Sequence, residues 1–387
     1  MKLFAQRKCG AGTLVVALVV CLLAEARLGL AADDKVTLFR NGEVVSGRIK
    51  KEDMESVEME IRDPRGPGAV MRKFTPGEVA EMEWEITDPA CAADWREGVN
   101  AYKKGSYSKA AGSFGTIIAD KEVEKAFRPE AKPCLYYLYA ESLYRAEKTS
   151  EATPAFEAFM KDYQNSSYMP LAVGSMVDSA ITEGKYEKVP KMLADLRRLG
   201  AEQKAFADYY EGKLLRAKKD PAGADKKFAD AAAGSSVPAT KGMALMGQAS
   251  CAVDQNNPAK ARELAQKALA SNPPTSVAGA AHLVIGDAIL AEIDAKKPGG
   301  DALQNMLLDA VLEYLRVHLQ YGGDRNTEPK ALFKAGECLQ ILAKKFPQRG
   351  IDRQRAITMF SKLKEDPKYR ATDWAKQADE ALKKLNR

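Results

Sequence analysis

The sequence predicts a mainly α-helical protein, an α-solenoid of about seven helical hairpins, preceded by a small five-stranded β-barrel. Three observations lead there. Residues 35–87 alternate apolar and polar side chains in short runs. From Ala92 onward the apolar residues take helical spacing in stretches rich in Ala, Leu, Lys and Glu. Along those stretches one short theme of small and aromatic residues keeps returning. A chain of 387 residues, 45% of them hydrophobic, has material for two or three packed cores, which excludes disordered and collagen-like classes.

Residues 1–32 read as a secretory signal. Lys2, Arg7 and Lys8 precede an uncharged, mostly apolar run from Ala11 to Ala24, and small residues close the segment at Gly29-Leu30-Ala31-Ala32. The run is short for a bilayer span. A retained anchor is the alternative, because Arg27 suits a cleavage region poorly. Neither Cys9 nor Cys21 follows the small residue that a lipoprotein signal needs. The expectation is an exported protein, periplasmic or extracellular, with no stable membrane span after cleavage.

The β-domain is placed at 33–88. Its runs are VTLF, EVVSGRI, SVEMEI, AVMRKF and EVAEMEWEI. Asn41-Gly42 separates the first two and favours a tight turn, since both residues accept positive φ. Gly47 falls inside the second strand, where a missing Cβ permits a sharp bend. Arg65-Gly66-Pro67-Gly68 and Pro76-Gly77 break the later strands.

The series Val36-Thr37-Leu38, Asn41-Gly42, Gly47, Asp53 and Val57 resembles the first motif of Sm-like small β-barrels, over some 25 residues. In RNA-binding members an Asp in the loop after the second strand is followed three residues later by an Asn that contacts a base. Here Ser56 follows Asp53, and the neighbouring aromatic is absent. Residues 33–88 carry nine cations against fourteen anions, and an acidic face repels phosphate. The resemblance therefore implies the fold and not nucleic-acid binding.

Helical repeats are placed at 89–370. Gly105-x-Tyr107-x-x-Ala110-x-x-x-Phe114 is echoed by Ala152/Phe156, Val189/Leu193, Ala224/Phe228, Ala261/Ala265, Ala310/Tyr314 and Ala356/Phe360, the small residues lying 35 to 49 apart. This resembles the tetratricopeptide repeat (TPR), a 34-residue helical hairpin. A small residue early in the second helix admits a close approach, and the large one four positions on shares its face and fills the gap to the next hairpin. Gly98, Ala140, Gly212, Ala249, Gly286 and Gly336 fall where the first helices need close contact. Ser271-Asn272-Pro273 closes the fifth unit as the family pattern does. The last two units carry about ten extra residues, around Lys296–Gln304 and Lys344–Arg353. Residues 371–387 form a polar cap, with Trp374, Ala378 and Leu382 on one stripe.

Catalytic chemistry is sparse. His282 and His318 are the only histidines, and no glycine-rich phosphate loop, nucleophile elbow or metal-ligand spacing is present. Both histidines read as packed interhelical residues. Neither an enzyme nor a cofactor or metal is expected. Cys91, Cys134, Cys251 and Cys338 remain after the signal; Cys251 and Cys338 read as buried, and a Cys91–Cys134 disulfide is left open.

What remains is binding. Stacked hairpins present their first helices along one groove. In phase, Tyr102, Lys103, Tyr137, Tyr144, Arg145, Tyr209, Lys213 and Arg216 line it, residue types that carry much interface energy. The function read from this is a non-enzymatic, exported scaffold, in which the groove holds another protein's segment and its cations read a carboxylate, in the manner of envelope-assembly proteins. The alternative is a cell-wall glycan-binding or enzyme-accessory protein in which Trp84, Trp95, Tyr136, Tyr137 and Tyr139 stack on sugar rings. Cytoplasmic RNA binding would require the signal to be false. Oligomeric state is left open. The signal contributes +3, the β-domain −5, and residues 89–387 hold 46 cations against 38 anions.

Overall fold

The computed structural model describes residues 33–38, 42–63, 68–271, 273–322, 327–370 and 372–385. The signal, Asn41, Arg65-Gly66-Pro67 and Asn272 lie outside the described residues. The chain divides into two compact units, one up to Ser142 and one from Leu143 onward.

The first unit opens with five antiparallel strands: β1 (Asp34–Leu38), β2 (Val44–Glu52), β3 (Val57–Arg62), β4 (Ala69–Phe74) and β5 (Val79–Glu83), ordered β4-β3-β2-β1-β5. Gly42 takes φ +66° in the first turn, which Leu38 N–H closes on the Glu43 carbonyl at 2.9 Å. β2 bends as expected: Val44–Gly47 pair with β1, and Arg48–Glu52 pair with β3. A Cβ on Gly47 would lie 2.9 Å from Ile61 Cγ2, so the changeover needs glycine there. Asp53 makes the next turn, its Oδ1 accepting the N–H groups of Glu55 and Ser56 at 2.9 and 2.8 Å. The five strands form the single antiparallel sheet that the sequence predicts. The turn at Pro76–Glu78 carries β5 to β1 while β4 stays on β3, and no pairing among the described residues joins β4 to β5. The sheet is curled and open.

The same unit continues past residue 88. It contains α1 (Ala92–Lys103), α2 (Tyr107–Ala119), the short α3 (Lys121–Ala126) and a 3-10 turn at Pro129–Ala131, and α4 (Lys132–Arg145) begins in it. Trp95 on α1 is buried between Phe114 and Phe127, with centroids at 5.6 and 5.4 Å, and its indole N–H donates to the Trp84 carbonyl at 3.0 Å. Sheet and first helices thus share one core.

The second unit holds α5 (Thr149–Asp162), α6 (Met169–Glu183), α7 (Val189–Arg197), α8 (Ala201–Ala217), α9 (Pro221–Gly234), α10 (Pro238–Asp254), α11 (Pro258–Ala270), α12 (Thr275–Lys296), α13 (Gly300–Gln320), α14 (Thr327–Lys345), α15 (Ile351–Glu365) and α16 (Asp373–Leu385). Consecutive helices pack as hairpins, and the first helices α8, α10, α12, α14 and then α16 also pack side by side. This is the helical-repeat arrangement of the TPR type, with α16 as its cap. The turns repeat too. Gly105, Glu147, Gly184, Lys219 and Asn256 all take positive φ between the helices of successive hairpins. The extra residues of the sixth unit lengthen α12 and α13 to 22 and 21 residues. α12 is long and apolar enough to span a membrane, but half of that stretch is buried in the unit, as in a core helix.

Glycine–aromatic contacts lock the hairpins. A Cβ on Gly98 would fall 2.5 Å from the Phe114 ring, on Gly212 2.8 Å from Phe228, on Gly286 2.6 Å from Tyr314 and on Gly336 2.5 Å from Phe360. Phe228 also sits against Gly247 of the next hairpin. Each ring therefore occupies the space that a side chain would take, and all four are almost wholly buried.

The four cysteines outside the proposed signal are buried thiols, with no disulfide between Cys91 and Cys134. Burial pushes Cys251 up to about 11 and Cys338 up to about 12. Aromatic disulfide reagents are expected to leave all four intact in the native protein and to modify four after denaturation; rapid native labelling of any of them would contradict this packing.

The cap is held by charge as well as by apolar contact. Trp374 packs on Phe333 at 5.4 Å, and Asp379 binds Lys364 and Lys383 at 2.6 and 2.7 Å. Those bonds hold the Asp379 carboxyl at about 2, below its ordinary 3.8. A depressed carboxylate stabilises the fold above its ordinary value, and the contribution disappears as pH falls through the folded value. Protection factors of the α16 amides, referred to the intrinsic rate at each pH, are expected to be constant above about pH 5 and to fall between about pH 4 and 2. Asp379→Asn should remove that acid transition.

Candidate functional site

The first helices of the second unit pack side by side, so their exposed faces form a surface that the fold builds repeatedly. Three ion pairs cross it from hairpin to hairpin. Lys213 on α8 binds Asp178 on α6. Arg216 grips Asp254 on α10 with Nε and Nη2 at 2.6 and 3.1 Å. Lys330 on α14 binds Asp287 on α12 at 2.9 Å, and Asp287 also accepts the Tyr314 hydroxyl at 2.8 Å. Val253 and Ile341, on α10 and α14, stand exposed at 44% and 42%.

This corrects the role expected for the cations. Lys213 and Arg216 already hold intramolecular carboxylates, so neither is an open receptor for a partner's carboxylate. Tyr209 packs against Phe228, Phe206 and Tyr210 at 5.7, 6.4 and 5.0 Å. Burial, and then Asp178, raise its hydroxyl well above the usual tyrosine range. Lys213 lies over Tyr210 and Tyr209 at 5.1 and 5.8 Å. Tyr144 meets Phe156 edge-on at 6.4 Å, and Arg145 at the end of α4 is exposed.

Tyr102, Lys103 and Tyr137 belong to the first unit. Tyr102 meets Tyr107 edge-on at 5.5 Å. Lys103 turns to β5, binding Glu83 at 2.5 Å and Glu81 at 3.4 Å, and Tyr137 is buried. Tyr137 is thus packed inside the unit, while Lys103 is half-exposed and paired with carboxylates of β5. Of the aromatics in the glycan reading, Trp84, Trp95 and Tyr137 are buried and offer no face to a sugar ring, while Tyr136 and Tyr139 are half-buried.

Both histidines are interhelical. His282 Nδ1 lies 2.6 Å from Glu313 on α13, and its ring stacks on Tyr321 at 5.2 Å. His318 Nδ1 lies 2.7 Å from Glu328, a buried carboxylate that also binds Lys368 at 2.5 Å. Burial pushes the Glu313 carboxyl up, but His282 and Arg316 outweigh it and leave the group below its usual range. Among the described residues no three His, Cys, Asp or Glu side chains are placed to hold a metal.

The first unit contains a cleft of about 340 Å³ lined by Asp33, Asp34, Arg48, Glu85, Asp88, Arg128 and Glu130 together with Gly47, Ile86, Thr87, Ala126 and Pro129. Its floor is a closed network that sequence reasoning missed. Asp34 accepts N–H groups from Ile49 and Glu85 at 2.7 and 2.8 Å, and Arg128 Nη1 at 2.9 and 2.7 Å. Arg128 also donates to the Ile49 carbonyl and lies 5.3 Å from the Trp84 ring centre. Asp34 at the start of a strand with an apolar alternation was the one available signal.

No family model matches the chain, and no curated protein matches it. Solved structures to which it is similar include PilF of Pseudomonas aeruginosa, with 14% identity over 64% of this chain and 97% of that one at a TM-score of 0.42. A tetratricopeptide repeat protein of Parabacteroides merdae shares 12% over 78% and 100% at 0.44. The human IFIT1 dimer with m7Gppp-AAAA shares 16% over 76% and 72% at 0.42. At such scores no role passes from these proteins to this chain, and the fold assignment stands on helix order and packing.

Proposed function

We propose that the protein is a non-enzymatic interaction scaffold that holds a segment of another polypeptide along the first-helix face of its second unit. The observation that supports this reading is the side-by-side series α8, α10, α12 and α14, with Val253 and Ile341 left exposed between charges that neutralise one another. A partner there gains most from apolar and backbone contacts, since a carboxylate would have to displace Asp178 or Asp254 from its cation. The signal-like segment at 1–32 supports an exported location and a role among envelope proteins. Recovery of native protein starting near Asp33 would support export, and an intact N-terminus in the cytoplasm would overturn it.

A photo-crosslinking residue at Val253 or Ile341 is expected to capture a polypeptide in native cells. The same residue at Leu319, on the second helix α13, should not. Equal capture at all three positions, or retention by peptidoglycan alone, would overturn the reading.

A further inference from the structure

The net charge of the second unit is not spread along it. Residues 143–343 carry 25 cations and 25 anions, whereas residues 344–387 carry 13 cations and 6 anions. The fold gathers much of that excess at one edge. α14 ends in Lys344 and Lys345, and α16, which packs beside it, ends in Lys383 and Lys384. α15 runs back between them and begins with Arg353 and Arg355. Arg353 Nη2 donates to the carbonyl of Leu385, which places the start of α15 against the end of α16.

The carboxylates nearby are outnumbered at this edge, where Glu380 stands exposed one turn before Lys384 and acts on Lys383. Asp352 is fully buried and holds Arg349 and Arg355 at 2.6 and 3.3 Å, while Asp379 holds Lys364 and Lys383. Lys344, Lys345 and Lys384 are exposed, and no ion pair joins them to a carboxylate among the described residues. Arg353 is engaged with the Leu385 carbonyl and Arg355 with Asp352, so the cations that project from the edge are chiefly the lysines at the ends of α14 and α16. Between the cations Ile351 is 60% exposed at the first position of α15.

We propose that this edge docks on an anionic phospholipid surface, with the cations meeting headgroup phosphates and Ile351 entering the interface. A basic cluster around a protruding aliphatic side chain is the chemistry of interfacial membrane binding. Single-stranded nucleic acid is the less favoured polyanion, because it needs stacking aromatics. Those of this region are committed to the core: Phe346 and Trp374 pack against it and Tyr369 is buried.

The test is co-sedimentation of the full chain with vesicles of phosphatidylcholine, with and without phosphatidylglycerol. Binding is expected only to the phosphatidylglycerol vesicles and should weaken with salt. Lys344→Gln/Lys345→Gln/Lys384→Gln should weaken it roughly a hundredfold, at about fivefold per lysine. The corresponding triple Lys→Arg variant should bind as the parent does. Residues 11–24 are common to every variant, so the differences report on the edge alone. Ile351→Ser should weaken binding several-fold at unchanged salt dependence. Equal binding by the Gln and parent chains overturns the proposal. So does indifference to Ile351→Ser combined with tighter binding of a single-stranded oligonucleotide, which would make the edge a nucleic-acid site.

Discussion

Replacing Arg128 with alanine is expected to destabilise the first unit by about 3–5 kcal/mol, the cost of leaving a buried carboxylate without its cation. Asp34 is 2% exposed, so water screens it little. Two strands and the 3-10 turn lose their common anchor, because the Asp34 network joins the backbone of Ile49 and Glu85 to the guanidinium. Hydrogen exchange should accelerate together in β1, β2 and residues 126–131. The second unit should keep its own protection, as it forms a separate compact body. Asp34→Asn/Arg128→Met, which removes both charges, is expected to recover much of the loss. A Tm for Arg128→Ala within a degree of the parent would show that the pair contributes no net stability.

The second large effect is expected at the last glycine–aromatic contact. Phe360→Ala should cost about 3–5 kcal/mol, since the ring is fully buried and its removal leaves a cavity between α14 and α15. Gly336→Ala should cost about 1–2 kcal/mol net, because a Cβ placed 2.5 Å from the ring overpacks the site and only partly gains from better helix propensity. The two changes are not additive. With the ring gone the alanine methyl enters free space, so Phe360→Ala/Gly336→Ala should be more stable than the sum predicts by about 1 kcal/mol or more. Simple additivity in a denaturant-monitored cycle would mean that ring and glycine do not meet.

These two cases mark what a single sequence displays. Gly336 and Phe360, or Gly98 and Phe114, were legible because helix geometry forces a small residue and a large one into fixed positions in every hairpin. The bend at Gly47 was legible for the same local reason. The partners of Lys213 and Arg216 were not: Asp178 and Asp254 lie 35 and 38 residues away, and no short-range period marks them. Trp84 and Trp95 stand near a strand end and a helix start, positions that suit an exposed aromatic, and only the shared core of sheet and helices shows that they are covered. The pairing of β5 with β1 was not legible, because alternation within each strand does not encode which strand it joins.

The bond between Asp34 and Arg128 spans 94 residues of chain. During synthesis the strands emerge first, yet their buried carboxylate stays without its cation until the segment after α3 has followed. Closing so long a loop is slow relative to local helix formation. The early strands must therefore wait, incomplete and with both edges open, while about a quarter of the polypeptide is made. That delay leaves the leading segment dependent on whatever shields a strand edge until residue 128 docks.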